Sequence, residues 1–161
     1  MSIDTKRKLS ASLEDYLEAI LNLSAGSKVA RSKDIAEAVA VSRSSVTGAL
    51  RTLADKGLVN YKPYGYITLT DQGWALAERV ARRHNIIKSF FVNVLGVDPN
   101  AAGQAACKAE HALGPKIVAR LLHFIEFTTA NNANGFDLAK EFAKFCENKH
   151  NDSTSNVKEQ I

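Results

Sequence analysis

Residues 32–59, "SKDIAEAVAVSRSSVTGALRTLADKGLV", decide the fold. Two short helical patterns, residues 34–39 and 44–56, flank a turn around Ala40, Val41 and Ser42. In the second pattern Val46, Ala49, Leu50 and Leu53 recur at spacings of three and four, which puts them on one inward face. Two short helices joined by a three- to four-residue turn form a helix-turn-helix. After Gly57 the period changes: "LVNYKPYGYITLT" alternates apolar and polar residues about a "KPYG" turn. That pattern predicts a two-stranded hairpin, residues 58–61 and 66–70.

Upstream, "SLEDYLEAILNL" places Leu13, Tyr16, Leu17, Ile20 and Leu21 on one face of an amphipathic helix, with Ser12 as its N-cap. Glu14, Asp15 and Glu18 fall on the opposite side. Helix, helix-turn-helix and hairpin in that order make a winged helix. Downstream, Asp71 can cap a helix running to about residue 95, with Gly96 closing it. Asp98 followed by Pro99 starts another helix, and Pro115 starts a third, apolar-rich one. "NNANG" reads as a loop, residues 136–148 as a last short helix, and the remainder as a polar, mobile tail. The fold class is mainly α: an N-terminal winged helix-turn-helix with a two-stranded wing (1–70), an all-helical domain (71–147), and a flexible tail (148–161).

The chain has 161 residues, 45% apolar and 24% charged, as in an ordinary globular protein. No window approaches the roughly 18 uncharged apolar residues of a membrane span, and the N-terminus lacks a signal-peptide core, so a cytoplasmic protein with no membrane partner is expected. Cys107 and Cys146 are too few for a disulfide scaffold, leaving thiols free for a metal. Charge is localised: residues 27–66 carry seven basic groups (Lys28, Arg31, Lys33, Arg43, Arg51, Lys56, Lys62) against three acidic ones (Asp34, Glu37, Asp55). That excess equals the whole chain's net +4 and is the footprint of a polyanion partner.

The expected contacts to double-stranded DNA follow. Ser44, Ser45 and Thr47 are small enough to approach bases and phosphates. Arg43 and Arg51 can reach the backbone or a guanine edge, and Lys33 adds charge. The wing offers Lys62, Tyr64 and Tyr66. Phe90, Phe91, Leu121, Leu122, Phe124 and Phe127 would form a large apolar patch on a lone helical domain, and a second copy is the usual cover. A homodimer on a palindromic operator is therefore expected.

"AACKAEHALG" sets Cys107, Glu110 and His111 at i, i+3 and i+4, so thiol, carboxylate and imidazole share one turn. That is the donor set of a metal site or an accident of a partly buried helix. Asp15 with Glu18, and His84, are single weak signals, but His84 and the triple sit on consecutive helices. No third orienting group or Gly-rich oxyanion loop accompanies Cys107 and His111, which argues against a cysteine hydrolase, and no enzyme is expected. His123 reads as a packing residue on an apolar helix. Cys146 and His150 lie near a chain end and offer only two donors.

The motifs "LEDYLEAI", "DIAEAVAVSRSSVTGAL", "GYITLTDQG", "RRH", "LGVD" and "EHAL" resemble the diphtheria toxin repressor family of metal-dependent regulators, most closely its short manganese transport regulator (MntR)-like branch without an SH3-like domain. The resemblance implies a winged helix, a helical dimerisation domain and a metal site. Carried residue by residue, the binuclear site falls on Asp15, Glu18, His84, Glu110 and His111. Cys107 stands where the manganese branch has glutamate and the iron-responsive branch has cysteine. The iron branch, however, has methionine at Asp15, and donors for an ancillary site at Lys88 and Gly103. A thiolate in place of a hard carboxylate favours Fe(II) over Mn(II) by a narrow margin, with up to two ions per subunit. The function implied is a metal-dependent homodimeric repressor of metal-homeostasis genes, with no small organic substrate. The competing reading is a winged-helix regulator answering to an organic ligand or protein partner, with the triple incidental.

Overall fold

The computed structural model describes residues 9–27, 29–132 and 137–155. They form seven α-helices and one two-stranded sheet: α1 (Ala11–Ser27), α2 (Ser32–Val39), α3 (Arg43–Asp55), β1 (Val59–Asn60), β2 (Thr68–Leu69), α4 (Asp71–Ser89), α5 (Pro99–Glu110), α6 (Pro115–Asn132) and α7 (Leu138–Ser155). Two compact units result, divided within α4 between Arg82 and Arg83.

In the first unit α1 packs against α2, α3 and β2. Leu17, Ile20, Ile35, Val46, Leu50, Leu53 and Ile67 have no exposed surface. Each such side chain contributes about 1.5–3 kcal/mol by leaving water, so this core fixes the helix-turn-helix. Both of its helices end in a Schellman pattern. After α2, Val41 N–H bonds to Ala36 and Ala40 N–H to Glu37, with Ala40 at φ 55. After α3, Leu58 N–H bonds to Leu53 and Gly57 N–H to Ala54, with Gly57 at φ 70. Glycine takes that conformation without strain, whereas Ala40 does so at a cost of about 1 kcal/mol or more.

The start signals shift by a few residues from expectation. Ser10, not Ser12, caps α1, its hydroxyl accepting from Leu13 N–H at 3.4 Å. Thr70, not Asp71, caps α4: its Oγ1 accepts from Gly73 N–H at 3.1 Å and donates to the Gly57 carbonyl at 2.6 Å. Ser42 caps α3, so that helix begins at Arg43. Glu14, expected on the polar side of α1, is buried.

The wing is antiparallel, pairing Val59 with Leu69 and Asn60 with Thr68, and its strands are shorter than the alternation predicts. Pro63 and Tyr64 occupy the turn, closed by Gly65 N–H to Lys62 carbonyl at 3.0 Å, with Tyr64 at φ 62. Proline at the second position and positive φ at the third give a type II turn. Ala30 pairs with Ile67 as an isolated bridge, tying the chain before α2 to the wing.

In the second unit Ile87, Ala106 and Val118 form a small core with Ile86, Phe91, Ala109, Leu113 and Leu121 around it. The long helix expected to reach residue 95 is α-helical only to Ser89; Phe90–Val94 form a π-helical turn before Gly96, at φ 68, ends it. Asp98 caps α5 as expected, accepting from Asn100 and Ala101 N–H, with Pro99 at the first position. α7 continues past Asn148 to Ser155, with no Gly or Pro in residues 138–155 to stop it. Of the expected tail, residues 156–161 lie outside the described residues, as do 133–135 of the "NNANG" loop and residue 136.

Candidate metal centre and DNA-contact face

On the first unit, α3 buries Val46, Leu50 and Leu53 and leaves Arg43, Ser44, Ser45, Gly48, Arg51 and Thr52 exposed, with Thr47 half-buried. Its N-terminal turn is a hydroxyl cluster: Ser42 Oγ lies 2.8 Å from Ser44 Oγ and 2.9 Å from Ser45 Oγ. Thr47 Oγ1 is committed to the Arg43 carbonyl at 3.1 Å. Lys33, Lys62 and Tyr64 are exposed. The eight residues expected to meet DNA thus lie on α2, α3 and the wing, with the inward face of α3 filled by aliphatic side chains.

A long-range pair that sequence does not reveal joins this face. Arg31 Nη2 donates to Tyr66 Oη at 2.9 Å, and its guanidinium lies over the Tyr66 ring, 5.1 Å from the centroid. The hydrogen bond with Tyr66 holds the Arg31 proton above the ordinary guanidinium range.

On the second unit Glu110 is the last residue of α5 and His111 its C-cap, and α4 presents His84. Glu110 has a side chain with no exposed surface; His84 and His111 retain 18% and 16%. His84 Nδ1 lies 3.0 Å from Glu110 Oε2, and His111 Nε2 lies 3.5 Å from Glu110 Oε1. A carboxylate taken wholly out of water must be matched by a proton, a cation or a metal ion. Two imidazoles and one carboxylate within this distance are a donor set that Mn(II), Fe(II) or Zn(II) accepts, so these residues fit a divalent ion. Small residues, with Ala106 fully buried, let α5 approach its neighbours closely.

The other expected donors stand as follows. Asp15 and Glu18 are half-buried on α1 of the first unit, three residues apart on one face. Burial first, and the charge of Asp15 second, push the neighbouring Tyr16 hydroxyl above its usual pKa. Cys107 is exposed on α5. His123, expected as a packing residue, is exposed instead, lining an open cavity with Phe90, Ile117, Leu121, Phe124 and Phe127. Cys146 is also exposed, within α7.

Residues 8–67 match the iron dependent repressor N-terminal DNA binding domain, and residues 70–134 match the iron dependent repressor metal binding and dimerisation domain. The chain belongs to the iron-dependent repressor family. This repressor is 40% identical over 119 residues to an uncharacterized HTH-type transcriptional regulator of Methanocaldococcus jannaschii, covering 73% of this chain and 95% of that one. It is 32% identical over 127 residues to the HTH-type transcriptional regulator MntR of Bacillus subtilis, covering 79% and 89%. A solved manganese-dependent transcriptional repressor in complex with manganese superposes with a TM-score of 0.66 at 33% identity, over 71% of this chain. The chain spans about half of that structure's length, 53%.

Family membership makes the protein a metal-dependent DNA-binding repressor with a dimerisation domain, not an enzyme. Among the described residues no helix is long and apolar enough to cross a membrane.

Proposed function

We propose that this repressor is a homodimer that binds a palindromic operator when a divalent metal is available and so controls genes of metal-ion homeostasis in the cytoplasm. The observation that carries the reading is the buried Glu110 carboxylate between His84 Nδ1 and His111 Nε2. The proposed ligand set is His84, Glu110, His111, Asp15, Glu18 and Cys107, sufficient for one or two ions. When bound, the divalent ion supplies the positive charge that the carboxylates lack.

The consequence for DNA follows from which residues are held. Asp15 and Glu18 belong to the helix that packs on α2 and α3, whereas Glu110 and His111 belong to the dimerisation unit. Ligation of both sets to the same ions would select one arrangement of the two units from those otherwise accessible. Two recognition helices about 34 Å apart then fit successive major grooves. A coupling of roughly 1–3 kcal/mol gives about 5- to 150-fold tighter operator binding, and DNA tightens metal binding by the same factor.

The solved repressor on which the chain superposes is manganese-dependent and holds manganese, and carboxylates with imidazoles suit Mn(II). Fe(II) gains over it where Cys107 joins the ligands as a thiolate. The test is an anaerobic Co(II) titration. Near-stoichiometric binding with visible d–d bands is expected, lost in His111→Ala; a thiolate-to-cobalt band that vanishes in Cys107→Ser would bring the cysteine into the site. A spectroscopically silent titration would remove the metal and favour a regulator answering to an organic ligand.

A further inference from the structure

Arg31, Ser32, Tyr64, Gly65 and Tyr66 line an open cavity of about 330 Å³ between the start of α2 and the wing. Three features suit it to an anion. Arg31 is exposed and has one Nη2 hydrogen directed to Tyr66, while stacking on the Tyr66 ring fixes the plane of its guanidinium. A guanidinium held in one plane offers its remaining N–H donors as a preorganised fork, the geometry that pairs with phosphate oxygens. Because Tyr66 Oη accepts from Arg31, its own proton is available to a further acceptor. Arg31 is also the cap residue of the eight-residue α2, in extended conformation, and supplies no side-chain acceptor to the first-turn N–H groups. A helix start without a capping oxygen favours an external anion. Asp34, in the first turn, exerts a weaker influence on Arg31 than Tyr66 does.

We infer that Arg31 and Tyr66 form a seat for a single phosphodiester of the DNA backbone, between the α2 N-terminus and the wing. The seat rests on the proposed reading that α3 and the wing meet duplex DNA, and extends it to residues outside the recognition helix. Arg31 comes from the turn before α2 and Tyr66 from the wing, and the Ala30–Ile67 bridge holds the two segments together. One phosphate bound there would fix the wing's register along the backbone without reading sequence.

The experiment replaces each operator phosphate singly by an uncharged methylphosphonate and measures affinity for the wild type, Arg31→Leu, Arg31→Lys and Tyr66→Phe with Mn(II) present. Tyr66→Phe keeps the ring under Arg31 and removes only the hydroxyl, so it reports on the seat even where another variant folds poorly. In the wild type one phosphate per half-site should be worth roughly tenfold, the weight of a charge-assisted hydrogen bond. That sensitivity should fall to near unity in Arg31→Leu, and partly in Arg31→Lys and Tyr66→Phe. The slope of log affinity against log salt should fall by about 0.9 per protomer in Arg31→Leu. If every phosphate matters equally to the wild type and all three variants, the pair merely braces the wing and the inference is overturned. If the metal-loaded wild type does not bind duplex DNA at all, the failure lies in the functional reading and takes the seat with it.

Discussion

Glu110→Gln preserves the shape of the buried side chain and removes its charge. Glu110 is 1% exposed, with His84 Nδ1 at 3.0 Å and His111 Nε2 at 3.5 Å from its oxygens. In the metal-free protein the change should be nearly neutral, within about 1 kcal/mol. The amide can still hydrogen-bond His84 Nδ1, and relief from burying a charge offsets the lost attraction to the two imidazoles. With metal the two proteins should part. At an Mn(II) concentration about 1,000 times the wild-type Kd, binding stabilises the wild type by about 4 kcal/mol; a roughly 100-fold loss of affinity leaves about 1.4 kcal/mol. For a chain of this size 1 kcal/mol corresponds to about 2–4 °C in Tm, so the shifts are about 8–16 °C and about 3–6 °C. Differential scanning calorimetry with and without Mn(II) reads both. An undiminished metal-induced shift in Glu110→Gln would refute the placement of this carboxylate in the metal centre.

Gly73→Ala should destabilise the first unit by about 2–3 kcal/mol in urea unfolding, because a Cβ there collides with the Leu58 carbonyl under the start of α4. Arg51→Ala removes an exposed guanidinium from α3 and should weaken operator binding about 5- to 150-fold, as a base contact worth roughly 1–3 kcal/mol does; a loss equal for operator and unrelated duplex would make it a phosphate contact. Phe127→Asp charges a 57%-exposed ring of the apolar face and should yield monomers in analytical ultracentrifugation, with the helical circular dichroism signal retained.

The winged helix was legible because its core is aliphatic at regular spacing: Val46, Leu50 and Leu53 are where the period puts them, and all three are fully buried. The caps were less so, because Ser10, Ser12, Thr70 and Asp71 are all competent capping residues and tertiary contacts choose among them. Thr70 is chosen by its second bond, to the Gly57 carbonyl across the hairpin. The π-helical turn at Phe90–Val94 leaves no periodic trace, since Phe90 packs edge-on to Phe124, and that partner is remote in sequence. The same remoteness hid the Arg31–Tyr66 pair, whose members stand 35 residues apart. His84 and Glu110 are 26 apart, but donor chemistry and the family resemblance joined what spacing could not. His123 went the other way: an apolar helix suggested burial, yet the aromatic face on which it sits is exposed within one chain.

Metal-dependent DNA binding is the central claim, and fluorescence anisotropy of a labelled operator, recovered by selection from genomic fragments, tests it most directly. Under anaerobic conditions and fixed ionic strength, saturating Mn(II) or Fe(II) should tighten binding about 5- to 150-fold over chelator-treated protein. Glu110→Ala and His111→Ala should bind as the wild type does in chelator. Full-strength binding by metal-free wild type would contradict the account.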